Sequence, residues 1–392
     1  MHKDNKYVFY ATKTDPPLPM RLEMDGYDTV LVSYYDSYVI DYHTFNKWTY
    51  DKGIFDIPHR NEGAAMSINP MAEFTSLGHS RDLVDDDFDE FRQQHDKVYE
   101  DDSEHRRRKH IFRHNVRYIR SMNRRSLPYK LEPNHFADLT DDEFKSYKGA
   151  LDDESKDVMN DHDDVIDDDR SKRMFEVPDQ LDWRNYGAVN PAKGQGTCGS
   201  CWAFATAGAV EAAHFIQKGE LLNLAEQQLL DCTWSTPGVY HGNNGCLGGW
   251  TWKAFSWVKK FGIATTKSYG HYRGQEGFCK TSNLTVGARI TSYRRVKRFN
   301  PIALKKALSY HGPATISINA NPKSLKFYSD GIMSDKHCSN KTDHAVLLIG
   351  YGSDNGVPYW LIKNSWSHKW GNNGFIKIKQ GLCGIEKRPF VV

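Results

Sequence analysis

The stretch Gln195-Gly196-Thr197-Cys198-Gly199-Ser200-Cys201-Trp202 places two cysteines three residues apart. A pair at that spacing can ligate zinc, cycle as a dithiol, or present one activated thiolate. Zinc requires a second ligand pair, and the cysteine-bearing C-terminal half offers neither another C-x-x-C nor an H-x3–5-H. A dithiol couple expects a strand before the motif and a βαβ pattern around it, and neither is readable. The single-thiolate reading uses more of the residues. Residues 202–218 are Ala-rich, amphipathic and closed by Gly219, which predicts a long helix opened by Cys201. Unpaired N–H groups and the dipole at that end favour a thiolate. Gln195, upstream in a Gly-rich loop, can fold back so that its amide and the Cys201 N–H donate to a developing oxyanion.

A thiolate of this kind needs an imidazole. Among 17 histidines, most are expected on the surface or in packing, and His344 stands out by its setting. Asp343-His344-Ala345-Val346 starts a predicted strand, and Asn364-Ser365-Trp366 ends another. On neighbouring strands, Asn364 can hydrogen-bond the ring and fix its orientation toward the thiol, while Trp366 shields that bond from water.

Three blocks and a linker position these groups. Residues 1–80 read as β-rich, with a dense Val/Ile/Tyr run over 29–42 and Asp36-Ser37 as its turn. Residues 81–150 become charged and helical. Phe88, Phe91, Ile111, Phe112, Val116 and Ile119 recur at helical spacing, and two helices are predicted with a break near 99–103. The cluster Arg106-Arg107-Arg108-Lys109 is closely flanked by acidic residues, which argues against nucleic-acid binding. Residues 151–174 are the linker. Ten of the eighteen residues 152–169 are acidic, which predicts disorder, and Arg170-Ser171-Lys172-Arg173 follows as a processing site. From 175 to 392, helices at 224–231 and 251–261 precede strands at 315–320, 344–351, 359–363 and 374–379. That order predicts an α+β domain with a helical lobe, a β lobe and a cleft between them.

Composition adds limits. No apolar run is long enough to predict a membrane-spanning helix, and mean hydropathy is −0.69. The net charge of +2 hides an asymmetry: residues 1–175 carry 26 Lys/Arg against 37 Asp/Glu, residues 176–392 carry 26 against 13. Either these are ordinary solvated surfaces, or the acidic half docks on the basic half and acid weakens that docking. All seven cysteines lie in the C-terminal half, and three disulfides would leave one thiol. With sequons at Asn283 and Asn340, this favours an oxidising compartment over a reduced set. The polar start lacks a signal h-region, so either the sequence begins downstream of one or the protein is not secreted.

Residues 178–392 resemble a papain-family cysteine protease from Leu181-Asp182-Trp183-Arg184 to Cys383-Gly384-Ile385. Cys198-Gly199-Ser200-Cys201-Trp202 fits the C-G-[SA]-C-[WY] signature already known for papain and the cathepsins. The resemblance implies a papain-like two-lobe fold and peptide hydrolysis without cofactor or metal. Cys201 is then the nucleophile, His344 its acid and base, Asn364 the orienter and Gln195 an oxyanion donor. It also implies the pairs Cys198–Cys246, Cys232–Cys279 and Cys338–Cys383, leaving Cys201 free. Upstream, Glu104-x3-Arg108-x3-Phe112-x2-Asn115-x3-Ile119-x3-Asn123 is similar to the family's helical inhibitory propeptide motif, one stripe of a helix. Asn134-x-Phe136-x-Asp138 resembles the second propeptide motif, with Glu132 where Gly is usual. In the family this segment runs backwards through the cleft, so a zymogen is expected whose own propeptide is its intramolecular inhibitor.

The fit is closest to cathepsin L-like endopeptidases, since nothing resembles the occluding loop of carboxypeptidase relatives. The front block resembles the N-terminal extension of the insect 26/29 kDa protease type. By the same resemblance, Gly248, Gly249, Trp250, Thr251, Ser317, Ala345 and Trp366 wall the substrate pockets, and the long Cys232–Cys246 loop is expected at the cleft rim. Arg388 aligns near the floor of the second pocket, where it either accepts an acidic side chain or faces solvent beside Glu386 and Lys387. The expected partners are protein and peptide substrates and protein protease inhibitors, with no nucleic acid and no membrane. A lysosomal or secreted location follows.

Overall fold

The computed structural model describes residues 6–11, 19–28, 33–41, 79–151, 165–166, 177–234 and 242–392, with side chains from residue 86 onward. Most of the acidic linker, the basic processing site at 170–173 and residues 235–241 of the Cys232–Cys246 loop lie outside the described residues. The chain divides into two units, Met1–Arg81 and Asp82–Val392.

The first unit contains an antiparallel sheet of β1 (Lys6–Ala11), β2 (Pro19–Asp28) and β3 (Ser33–Asp41), paired in that order. Asp36 and Ser37 are not a turn. They stand inside β3 opposite Gly26 and Asp25. The Tyr, Val and Ile residues around them favour an extended chain, and continuous pairing with β2 outweighs the local turn preference of Asp-Ser.

Helix α1 (His79–Gln94), which belongs to the second unit from Asp82 onward, and α2 (Asp102–Asn123) are separated by residues 95–101. Asp102 and Ser103, expected in the break, open α2 instead, because Asp101 caps it by accepting from Glu104 N at 2.8 Å. Phe112, Val116 and Ile119 form the buried face of α2, and the Phe112 ring lies 5.3 Å from Phe88 and 4.8 Å from Phe91. The polar members of the predicted stripe are tethers rather than surface groups. Arg108 bonds Glu104 at 2.6 Å, Glu143 at 2.8 Å and Asp138 O at 2.9 Å. Buried Asn115 donates to Ala137 O and Leu139 O, and Asn123 exchanges two bonds with the Leu131 backbone. These bonds hold the 131–143 segment, which begins at β4 (Tyr129–Leu131), against α2.

The remainder forms two lobes. The helical lobe holds α3 (Cys201–Lys218), α4 (Glu226–Cys232) and α5 (Thr251–Phe261). The β lobe holds β5 (Arg294–Val296), α6 (Pro301–His311), β6 (Ala314–Ile318), β7 (Tyr328–Met333), β8 (His344–Asp354), β9 (Val357–Lys363), β10 (Phe375–Lys379) and β11 (Phe390–Val391). The sheet order is β4-β7-β10-β9-β8-β6-β11-β5, so β4 extends the β lobe's own sheet at one edge, and at the other Val165–Ile166, in the linker expected to be disordered, pairs in parallel with β5. Glu132 continues that contact by donating its N–H to Phe327 O, and its φ is not positive, so no glycine is required there. α3 crosses β8 closely: a Cβ on Gly208 would stand 2.9 Å from the Leu347 side chain. Disulfides join Cys198–Cys246, Cys232–Cys279 and Cys338–Cys383, and Cys201 is the free cysteine.

Candidate active site

Cys201 is the first residue of α3 and is wholly buried. Ser200, before it, makes no side-chain cap, which leaves the helix end to other groups. The Cys201 Sγ accepts from Ala345 N at 3.4 Å, and main-chain N–H groups of Gly149 and Trp202 also point to it. Burial pushes the thiol up to about 12 against the pull of those donors. His344 opens β8, also wholly buried, and burial pulls its imidazole down to about 4. In this covered form both groups are uncharged.

The orientation of the ring follows from its neighbour. Asn364 Oδ1 accepts from Ser365 N at 2.8 Å and lies 2.8 Å from His344 Nε2. An oxygen can only accept, so Nε2 carries the proton and Nδ1 is left as the basic nitrogen. Nδ1 is buried with no hydrogen-bond partner. The Trp366 ring stacks on His344 at 4.6 Å and 25°.

Gln195 is buried beside this pair. Its Nε2 donates to Cys198 O at 2.8 Å, and its Oε1 accepts from Ser365 Oγ at 2.6 Å. Tyr272 Oη donates to Gln195 O at 2.8 Å and shares a hydrogen bond with Ser200 Oγ. Neither Ser365 nor Tyr272 was singled out from sequence. Ser365 was signalled by its place after Asn364; Tyr272, distant in sequence, had no signal.

The chain's own residues 147–151 lie across these groups. Ala150 bridges Gly249 in parallel, Gly249 N donates to Gly149 O at 2.8 Å, and Leu151 N donates to Gly249 O at 3.3 Å. On the other wall, Ala150 N donates to Asp343 O, and Lys148 Nζ reaches Asp343 Oδ2 at 2.9 Å. Trp366 Nε1 donates to Tyr147 O at 3.0 Å. The approach is close: a Cβ on Gly149 would meet Gly199 O at 2.0 Å. Phe136 and Phe144 stand edge-on to Trp366, and the buried Lys326 donates to Leu139 O at 2.7 Å.

Of the predicted pocket residues, Gly248 and Gly249 face this segment, and Ala345 touches the thiol. Ser317 pairs with Ala345 across β6 and β8. Thr251 Oγ1 accepts from Thr315 Oγ1 at 3.1 Å, and Trp250 is fixed through its N–H on Asn243 Oδ1. Arg388 stands two residues before Phe390, whose strand partner is Thr315.

A thiol beside an amide-oriented imidazole, with the chain's own backbone laid over both, is the chemistry of a thiol peptidase kept as a zymogen. Residues 177–392 match the papain family cysteine protease domain, and residues 88–144 match the cathepsin propeptide inhibitor domain (I29). Digestive cysteine proteinase 1 of Homarus americanus is 36% identical over 316 residues, spanning 76% of this chain and 91% of that protein. A cathepsin L-like peptidase of Aedes aegypti is 38% identical over 327 residues, spanning 78% of this chain and 91% of that protein. The structure of digestive procathepsin L2 proteinase from Tenebrio molitor larval midgut superposes with a TM-score of 0.71 at 31% identity, over 79% of this chain and 99% of that one. The chain belongs to the papain family of cysteine proteases, as a cathepsin L-like endopeptidase precursor with its own inhibitory propeptide.

Proposed function

We propose that Cys201 is the nucleophile, His344 the acid and base, Asn364 its orienting group, and Gln195 with the Cys201 N–H the oxyanion donors. The observation that carries this is the 2.8 Å bond from His344 Nε2 to Asn364 Oδ1, which reserves Nδ1 for the thiol proton. When residues 147–151 leave, water relieves the burial that keeps thiol and imidazole uncharged, and the end of α3 favours the thiolate. The Cys201 proton passes to His344 Nδ1, and the sulfur attacks the scissile carbonyl. Gln195 Nε2 has two protons and commits one to Cys198 O, so one remains for the oxyanion. Collapse expels the amine, which takes the imidazolium proton. His344 then deprotonates water, which hydrolyses the thioester and returns the thiol and a carboxylic acid. Asn364→Ala in the released domain is expected to lower kcat about 10- to 100-fold with KM little changed, because the ring loses its fixed orientation. Steady-state kinetics with a peptide substrate check this, and an unchanged kcat removes Asn364 from the role.

The same reading assigns residues 1–80 as an extension, 81–150 as propeptide, 151–174 as a linker cut at 170–173, and 175–392 as the peptidase. The inhibitor match at 88–144 and the cleft-covering segment ending near 151 support it. Gly248, Gly249, Trp250, Thr251, Ser317, Ala345 and Trp366 wall the substrate cleft. Arg388 is assigned to the second pocket by the family resemblance, and its place two residues before Phe390, the strand partner of Thr315, supports that assignment. A charge-assisted contact there is worth about 1.5–3 kcal/mol. Arg388→Ala is therefore expected to cut the preference for an acidic residue over Leu, two positions before the scissile bond, about 10- to 100-fold. Competition between paired peptides reads this ratio, and an unchanged ratio places Arg388 outside the pocket. Three disulfides and the cathepsin-type relatives support a lysosomal or secreted location, where protein inhibitors can enter the same cleft.

A further inference from the structure

Among the described residues, the two-residue strand Val165–Ile166 is all that lies beyond β5 at that edge of the β lobe's sheet. It runs parallel to β5, with Val165 opposite Arg295 and Ile166 opposite Val296, and Lys297 N donates to Ile166 O at 3.0 Å. Ile166 packs, half-buried, on the core that includes Val296. An extended segment is thus seated on this edge by its backbone and one apolar side chain. Such seating depends on strand geometry and on any residue of that size rather than on Val165 and Ile166 themselves.

Charge decides which other strands the edge accepts. From Gly277 to Ser329 the chain carries ten Lys/Arg and no Asp or Glu, and four of the ten, Arg294, Arg295, Lys297 and Arg298, fall on or beside β5. Arg294 and Lys297 are exposed, whereas Arg295 is buried. The neighbours of the seated pair in sequence are Asp163, Asp164, Asp167, Asp168 and Asp169. Cations along an edge strand repel the same edge of a second copy and favour a strand with acidic flanks. The seated pair also lies upstream of 170–173, so a cut there separates it from the peptidase. Once it departs, β5 is left with unpaired backbone groups.

We propose that β5 is an exosite: in the processed enzyme its open edge takes an extended, acid-flanked apolar segment of a protein substrate as an added strand, while Cys201 cuts the same substrate chain elsewhere. The precursor fills this edge with its own Val165–Ile166. The proposal rests on the reading of Cys201 as the nucleophile and of 170–173 as the cut. β5 is three strands across from β8, whose first residue is His344, a span of about 14 Å. A flexible spacer of about ten residues has a root-mean-square reach of about 17 Å, so one substrate chain can occupy both places. Holding the substrate at a second point raises its local concentration at the cleft without touching the reacting atoms. KM therefore falls and kcat stays as it was.

The test uses enzyme processed at 170–173 and freed of its propeptide, with two substrates that share one cleavable peptide. One carries Asp-Asp-Val-Ile-Asp-Asp-Asp through a Gly/Ser spacer of about ten residues. The other carries Asp-Asp-Pro-Pro-Asp-Asp-Asp, which keeps the charge and cannot add a strand. The Val-Ile substrate is expected to show a KM about tenfold lower at equal kcat. Arg294→Glu combined with Lys297→Glu is expected to erase that difference and to leave cleavage of the peptide without an extension unchanged, which shows that the variant folds. Equal KM values on the unaltered enzyme overturn the exosite, and so does a difference that survives the double variant. Fluorescence anisotropy of labelled Asp-Asp-Val-Ile-Asp-Asp-Asp reads the edge without catalysis. The peptide is expected to bind the processed enzyme at least about tenfold tighter than the uncut chain, whose edge is filled from within. That binding difference without any cleavage upholds the edge and sinks the nucleophile reading; cleavage without the binding difference sinks the exosite alone.

Discussion

Released catalytic domain carrying Cys201→Ala is expected to retain on the order of one millionth of the normal kcat/KM for peptide cleavage. The size follows from the reaction type. Without the sulfur no thioester forms, and His344 and Gln195 are left to assist direct attack by water. Residual rates in such variants come only from oxyanion stabilisation and substrate binding. The substitution removes one buried sulfur atom at the start of α3 and touches none of the three disulfides, so the fold should persist. Epoxide labelling should vanish with the activity. A variant that still accumulates acyl-enzyme would assign the nucleophile to another residue.

Phe112→Ala in the full chain is expected to open the cleft at neutral pH. Phe112 is 1% exposed and holds Phe88 and Phe91 of α1 against α2. Truncating a buried Phe costs about 3–5 kcal/mol, a large part of what a segment this small can contribute to its own order. If closure needs the folded helices, the closed state should lose occupancy by about 100-fold or more. Cys201 labelling at pH 7.5 should then accelerate by a similar factor. An unchanged rate would mean that the segment across the cleft holds itself there without the helical body behind it.

What the sequence made legible was whatever depended on neighbouring residues. The nucleophile motif, the Asn364-Ser365-Trp366 string and the α2 stripe are local patterns with local physical reasons. Helix α5 was readable at its observed limits, because its amphipathic run ends in Gly262. The Asp36-Ser37 turn was misjudged for the converse reason: its outcome depended on pairing with β2, which no local window contains. The same distance hid Tyr272 and Lys326. Their roles are hydrogen bonds to Gln195 and Leu139, residues far away in sequence. The direction in which Cys201 and His344 are shifted was also hidden, since it is set by their burial in the folded chain rather than by the pair itself.

The parallel bridge between Ala150 and Gly249 has a consequence for how long the precursor can be stored. Residues 147–151 are part of the same molecule, so their return to the cleft after any brief departure is a first-order event. Dilution into a large compartment cannot free the enzyme, and crowding in a small vesicle cannot silence it further. The lifetime of the covered form is then set by how often the segment strays, and a cut in the tether would make its departure permanent.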